Sequence, residues 1–213
     1  MSTIPDRLCA IVDVDAAARV GWQPLDLARA FIEGGARFLQ LRAKALPGAA
    51  FLAAATAIVQ LAHARGASVI VNDRADIARL AGADGVHIGQ DDLPALAVRS
   101  LVGPEAVVGL STHTIEQLEQ AVDEPVSYVA IGPVFGTTTK ATGHAQVGLD
   151  MVREAARRTA AKGLPLVAIG GITLENALSV IHAGADSVAV ISDLVAGGDP
   201  ERRVREFLRL GHV

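Results

Sequence analysis

Eight short apolar runs, rich in Val, Ile, Leu and Ala, recur along this 213-residue chain and alternate with stretches patterned as helices. The runs cover residues 8–13, 38–42, 68–72, 85–88, 107–110, 128–131, 166–169 and 187–190. They are apolar on both faces, which suits strands of a parallel sheet with helices packed outside it. Helices are expected near 24–34, 48–64 and 74–80, from 94, 114 and 149 onward, and at 173–183 and 201–210. Pro94 suits a first helical position, and Thr114 followed by Gln117 reads as a capping box. Gly66, Gly82, Gly163 and Gly184 fall just past helices, where a left-handed residue closes the last turn. Eight even units of this length predict a closed (β/α)8 TIM barrel, one domain over 1–213, ahead of an open doubly wound sheet.

Composition narrows what such a barrel can do. Hydrophobic residues make up 51% and charged residues 20%, the balance of a globular chain. Charges, Gly or Pro interrupt every apolar stretch before it reaches the length of a membrane span, and no basic-then-apolar leader opens the chain. The net charge of −4 comes with no basic stripe, which argues against nucleic acid as a partner. The single Cys9 cannot form an internal disulfide and fits a reducing cytoplasm. Nothing argues against a homo-oligomer.

Chemistry gathers where the runs end, which is the rim that carries active sites in barrels of this kind. Asp73 ends the third run and Asp92 follows the fourth, so adjacent strands bring the two carboxylates together. Such a pair can share a hard divalent cation and leave positions for water and phosphate oxygens. Helix capping is the plainer role for either aspartate alone, and spacing does not separate Asp92 from Asp91. Arg42 and Lys44 alternate with Leu41 and Ala43, so both can face one side as the second strand ends. With Lys140, after Thr137, Thr138 and Thr139, they form a cation set suited to a diphosphate. Each alone would read as solvated surface charge. Gly170-Gly171 and Ile191-Ser192 close the last two strands, where backbone amides and a helix N-terminus can bind phosphate. A tight turn would use Gly-Gly equally well.

The six histidines form no metal spacing. His87 reads as a hydrogen-bonded core or rim residue. His113 reads as surface, with an acid–base role as its alternative. No Ser-His-Asp or Cys-His constellation is visible, and aromatics at 3% leave little for a cage around a cation.

Taken together, these motifs resemble the thiamine-phosphate synthase family. The resemblance rests on Gln-Leu-Arg-Ala-Lys at 40–44, Asn72-Asp73-Arg74, Gly85-Val86-His87-Ile88-Gly89-Gln90-Asp91-Asp92 and Gly109-Leu110-Ser111-Thr112-His113. It continues through Gly132-Pro133-Val134-Phe135, Thr137 to Lys140, Ala168-Ile169-Gly170-Gly171-Ile172 and Val190-Ile191-Ser192. It implies Mg2+ as cofactor and two small-molecule substrates, a pyrimidine diphosphate and a thiazole phosphate, the latter with or without a carboxylate. The products implied are thiamine phosphate and pyrophosphate, with CO2 from the carboxylated thiazole. By the same resemblance Asp73 and Asp92 hold the metal. Gln40, Leu41, Arg42, Ala43, Lys44, Asn72, Ser111 and Lys140 contact the pyrimidine diphosphate, while Thr137, Thr138, Thr139, Gly171, Ile191 and Ser192 contact the thiazole phosphate. Arg42, Lys44 and Lys140 carry catalysis. Members often have Tyr in the first strand where this chain has Cys9, so packing around the pyrimidine is expected to differ. The rivals are a thiazole tautomerase with His113 as acid–base group, another phosphate-binding barrel such as a sugar-phosphate epimerase, and a non-catalytic sensor.

Overall fold

The computed structural model describes residues 6–136 and 145–210. Eight parallel strands close into a barrel in sequence order: β1 (Leu8–Asp13), β2 (Phe38–Arg42), β3 (Ser68–Asn72), β4 (Gly85–Ile88), β5 (Val107–Thr112), β6 (Tyr128–Ile131), β7 (Leu166–Ile169) and β8 (Ser187–Val190). The (β/α)8 TIM barrel expected from the doubly apolar runs is therefore the observed fold. Outside it lie α1 (Val14–Arg19), α2 (Pro24–Glu33), α3 (Gly48–His63), α4 (Ala75–Ala81), α5 (Ala95–Val102), α6 (Ile115–Ala121), α7 (Gly148–Ala161), α8 (Ala177–His182) and α9 (Pro200–Arg209). None of these helices is long and apolar enough to cross a membrane.

The strand pleat sorts side chains into two cores. Leu8, Ala10, Val12, Leu39, Leu41, Val69, Val71, Val86 and Ile88 pack outward against the helices. The alternate positions Cys9, Ile11, Phe38, Ile70, Val107, Tyr128, Ala130, Val167, Ala189 and Ile191 fill the barrel itself. Filling both sides of every strand accounts for the continuous apolar runs. Residues that continue the inward parity toward the strands' C-terminal ends, such as Gln40, Arg42, Asn72, His87 and Ser111, come up into the rim.

Four local features differ from the sequence expectation. The short helix α1 directly follows β1, with Asp13 accepting the Ala16 amide at 2.8 Å as its cap. Helix α8 begins only at Ala177, because residues after β7 are tied down individually: Asn176 Oδ1 accepts the Thr173 amide and Asp193 Oδ2 the Leu174 amide. Pro94 precedes α5 rather than opening it. The α6 capping box forms with a shift: Thr114 Oγ1 accepts the Gln117 amide, while Gln117 Oε1 accepts from His113, one residue before the cap. Gly66, Gly82, Gly163 and Gly184 all have positive φ, as expected of helix-ending glycines.

Candidate active site

Asp73 and Asp92 come together at the ends of β3 and β4, and neither caps a helix. Helix α4 starts after Arg74 and α5 after Pro94, both without a side-chain cap bond. Asp73 has a left-handed backbone, φ 65°, unusual for a residue with a side chain and unfavourable by roughly 1 kcal/mol. Its amide donates to the His87 carbonyl at 2.7 Å, which holds the strand end in that conformation. Its carboxylate receives Lys44 Nζ at 2.5 Å. Asp92 Oδ2 accepts the Gly89 amide at 2.7 Å. Burial pushes the Asp92 carboxyl above its ordinary value, and the charge and hydrogen bond of Asp73 push the same way. The Gly89 amide and Lys44 oppose them. Asp91, by contrast, is exposed. Geometry thus separates the two aspartates that spacing left open: Asp92 faces Asp73.

No group of three or more His, Cys, Asp or Glu side chains forms a metal cluster among the described residues. Two carboxylates brought together in this way fit a hard cation such as Mg2+, which keeps waters and takes substrate phosphate oxygens as ligands. The donor chemistry therefore suits magnesium better than zinc.

The 40–44 segment divides by the pleat. Leu41 and Ala43 are buried in the outer core, so their side chains face the helices and only their main chain is on offer to a ligand. Gln40, Arg42 and Lys44 alternate with them. Arg42 and Lys44 do not converge on one carboxylate as they leave the barrel. Arg42 pairs with Asp13 at 2.6 Å, from the neighbouring position on β1, while Lys44 reaches the opposite way to Asp73. Asp13 is only 3% exposed and uses both oxygens, one for the α1 cap and one for Arg42. Asn at position 13 keeps a capping oxygen and Ala does not. Asp13→Asn is accordingly expected to exceed Asp13→Ala in stability by about 1 kcal/mol in urea unfolding. Equal stabilities would show that the cap contributes nothing. In the sequence Asp13 is an ordinary strand end, and its partner Arg42 lies 29 residues away.

Cys9 lies level with Phe38, deep in the barrel and below the rim. The position where packing around the pyrimidine was expected to differ therefore lies in the floor under the site. Above that floor His87 is buried between two hydroxyls: Nδ1 lies 2.7 Å from Tyr128 Oη and Nε2 2.8 Å from Ser111 Oγ. Ser111 thus has a histidine partner that the sequence did not reveal, because β4 and β5 carry them 24 residues apart. Gln90 Nε2 donates to the Ser111 carbonyl at 2.6 Å and closes that side of the rim. His113 is not on the open surface as expected. Its Nδ1 lies 2.5 Å from the Gly132 carbonyl, an acceptor only, so that nitrogen carries the proton and ties β5 to the segment after β6.

At β7 the two glycines have a packing reason. A Cβ on Gly171, whose φ is +64°, would meet the Gly136 carbonyl at 2.6 Å and Phe135 Cβ at 2.8 Å. The space next to Gly171 that was expected to admit an anion is shared with the segment after β6, held there by Phe135 N donating to the Gly170 carbonyl. The amides of Thr173 and Leu174 are already bonded to Asn176 and Asp193, and α8 begins only at Ala177. Ile191 faces the barrel interior and Ser192 opens a short 3-10 turn ending at Leu194. Thr137, Thr138, Thr139 and Lys140 lie outside the described residues.

The family model described as thiamine monophosphate synthase matches residues 8–194. A thiamine-phosphate synthase from Koribacter versatilis is 46% identical over 211 residues, covering 97% of this chain and 96% of the relative. One from Methanoculleus marisnigri is 48% identical over 182 residues, 85% of each. Among solved structures, a thiamine phosphate pyrophosphorylase from Pyrococcus furiosus superposes with a TM-score of 0.86 at 29% identity, covering 97% of this chain and 95% of that one. A 3-hexulose-6-phosphate synthase, at 18% identity and a TM-score of 0.66 over 96% of this chain and 99% of its own, shares the fold alone. With the family model spanning most of the chain and the Koribacter relative aligned end to end, the chain belongs to the thiamine monophosphate synthase family.

Proposed function

We propose that this chain joins 4-amino-2-methyl-5-(diphosphooxymethyl)pyrimidine to a thiazole phosphate, releasing pyrophosphate and forming thiamine phosphate. The observation that carries the reading to the site is the Lys44–Asp73–Asp92 cluster, two facing carboxylates and a cation at adjacent strand ends. Asp73 and Asp92 would hold magnesium, which supplies positive charge to the departing diphosphate. Lys44 and Arg42 add charge from the protein, with Lys140 assigned to the same task by its sequence match. Departure of pyrophosphate leaves the pyrimidine methylene electron-poor, and the thiazole nitrogen closes the new bond. No protein nucleophile is required, so the work of the site is to stabilise leaving-group charge and to hold the thiazole in line. Gly171, Ile191 and Ser192 are assigned to hold the thiazole phosphate.

Purified protein given both substrates is expected to release pyrophosphate with Mg2+ and none after chelation, read by a coupled phosphate assay. Isomerisation of the thiazole phosphate alone, with no pyrophosphate under any condition, would place the chain among the tautomerases instead. Full turnover after chelation would remove the metal from the reading.

A further inference from the structure

Ser111 and His87 sit in the geometry of a nucleophile and its base, yet the third member of the chain reverses the wiring. In a hydrolytic triad a carboxylate accepts the Nδ1 proton, which leaves Nε2 to accept from serine. Here the group at Nδ1 is a phenol, Tyr128, and its ring stacks near His87 with centroids 5.6 Å apart. Tyr128 is fully buried among Cys9, Phe38, Val107 and Ala130. Burial pushes its pKa well above the ordinary value, so the phenol keeps its proton. A protonated phenol in apolar surroundings places that proton on the acceptor in reach, which is Nδ1 at 2.7 Å. In a neutral imidazole that accepts at Nδ1, the ring proton is on Nε2, the nitrogen 2.8 Å from Ser111 Oγ.

We infer that Tyr128 and His87 are positioning residues that hold Ser111 as an acceptor on its inner side, so that its own hydroxyl proton is turned outward as a donor to the diphosphate. This rests on the reading of Ser111 as a diphosphate contact. The backbone is built to allow the relay. His87, Gly109 and Tyr128 are register partners in one row across β4, β5 and β6. Tyr128 reaches past β5 to His87 only because Gly109 lacks a Cβ, which would lie 2.1 Å from Tyr128 Cζ and 2.3 Å from Oη. A glycine inside an apolar strand weakens it unless another group needs the space. The group that fills it here is the phenol.

The tautomer can be read without turnover. A two-bond 1H–15N correlation spectrum of the substrate-free protein, with His87 assigned by its loss in His87→Gln, is expected to show the proton on Nε2 and a bare Nδ1. A proton on Nδ1 would overturn the relay. In kinetics, Tyr128→Phe keeps the ring and removes the hydroxyl, and is expected to lower kcat about tenfold with KM little changed, since a hydrogen bond to a charged group is at stake. On a Ser111→Ala background the same substitution should change nothing further. An additive loss there would mean that Tyr128 acts only on the fold, and would sink the proposal. Normal turnover in Ser111→Ala would instead overturn the diphosphate reading and the relay with it. A strong Ser111→Ala defect beside the wrong tautomer would overturn the relay alone.

Discussion

Asp92→Asn is expected to lower pyrophosphate release at least about a thousandfold while making the metal-free protein more resistant to heat at pH 7. The first effect follows from losing one of two carboxylates that face each other at the rim, since positive charge placed on a leaving group contributes several kcal/mol. The second follows from what that carboxylate experiences without a cation. Its folded pKa is raised above the ordinary 3.8, first by burial and then by Asp73. An acid shifted in that direction opposes folding once ionised. The penalty is absent below the unfolded value, appears as pH rises through it, and is complete above the folded value. Asparagine removes the charge and keeps an oxygen for the Gly89 amide. The gain in Tm should therefore be present at pH 7, vanish below pH 3.8 and disappear when Mg2+ saturates the wild-type protein. Thermal unfolding with and without the metal checks this, and unchanged turnover would remove Asp92 from the reaction.

Arg42→Ala is expected to damage both stability and turnover, and a second substitution separates the two. The guanidinium is 16% exposed and its partner Asp13 only 3%. Removing Arg42 leaves a buried carboxylate without its cation, a loss of about 3 kcal/mol, which for a chain of this size lowers Tm by roughly 6–12 °C. Leaving-group stabilisation falls as well, by about a hundredfold in kcat. Adding Asp13→Asn removes the stranded charge and keeps the α1 cap, so most of the lost stability returns while turnover stays low. If the double variant melts no higher than Arg42→Ala, the pair carries no such energy. Recovery of turnover would show that Arg42 acts only through the fold.

The barrel was legible because each strand is buried on both faces, which produces runs that no amphipathic helix shares. What escaped was held by single side chains rather than by periodicity. Helix α1 follows β1 without a break because Asp13 both ends the strand and caps the helix. Helix α8 is shortened by Asn176 and Asp193, whose bonds to loop amides cannot be seen in a pattern of apolar residues. At the rim, strand-end position pointed to Asp73 and Lys44, while it left Asp91 and Asp92 open until the geometry turned Asp92 toward Asp73. Arg42 was found too, but its partner was not, since Asp13 lies 29 residues away and becomes a neighbour only through β1–β2 register. His87 was correctly read as a hydrogen-bonded residue without its partners being named. The one clue to Tyr128 was a glycine inside the β5 run, at position 109.

That glycine ties two positions together across generations of sequence change. While an aromatic ring from position 128 lies over position 109, mutation at 109 has nowhere to go: even an alanine Cβ would lie 2.1 Å from Tyr128 Cζ. The constraint runs the other way as well. A lineage that lost the ring at 128 would free 109 to drift, and His87 would lose its Nδ1 partner in the same step. In any chain that keeps this barrel register, a bulky residue at 109 and an aromatic residue at 128 exclude each other. The fold couples the two positions directly although β5 and β6 carry them 19 positions apart.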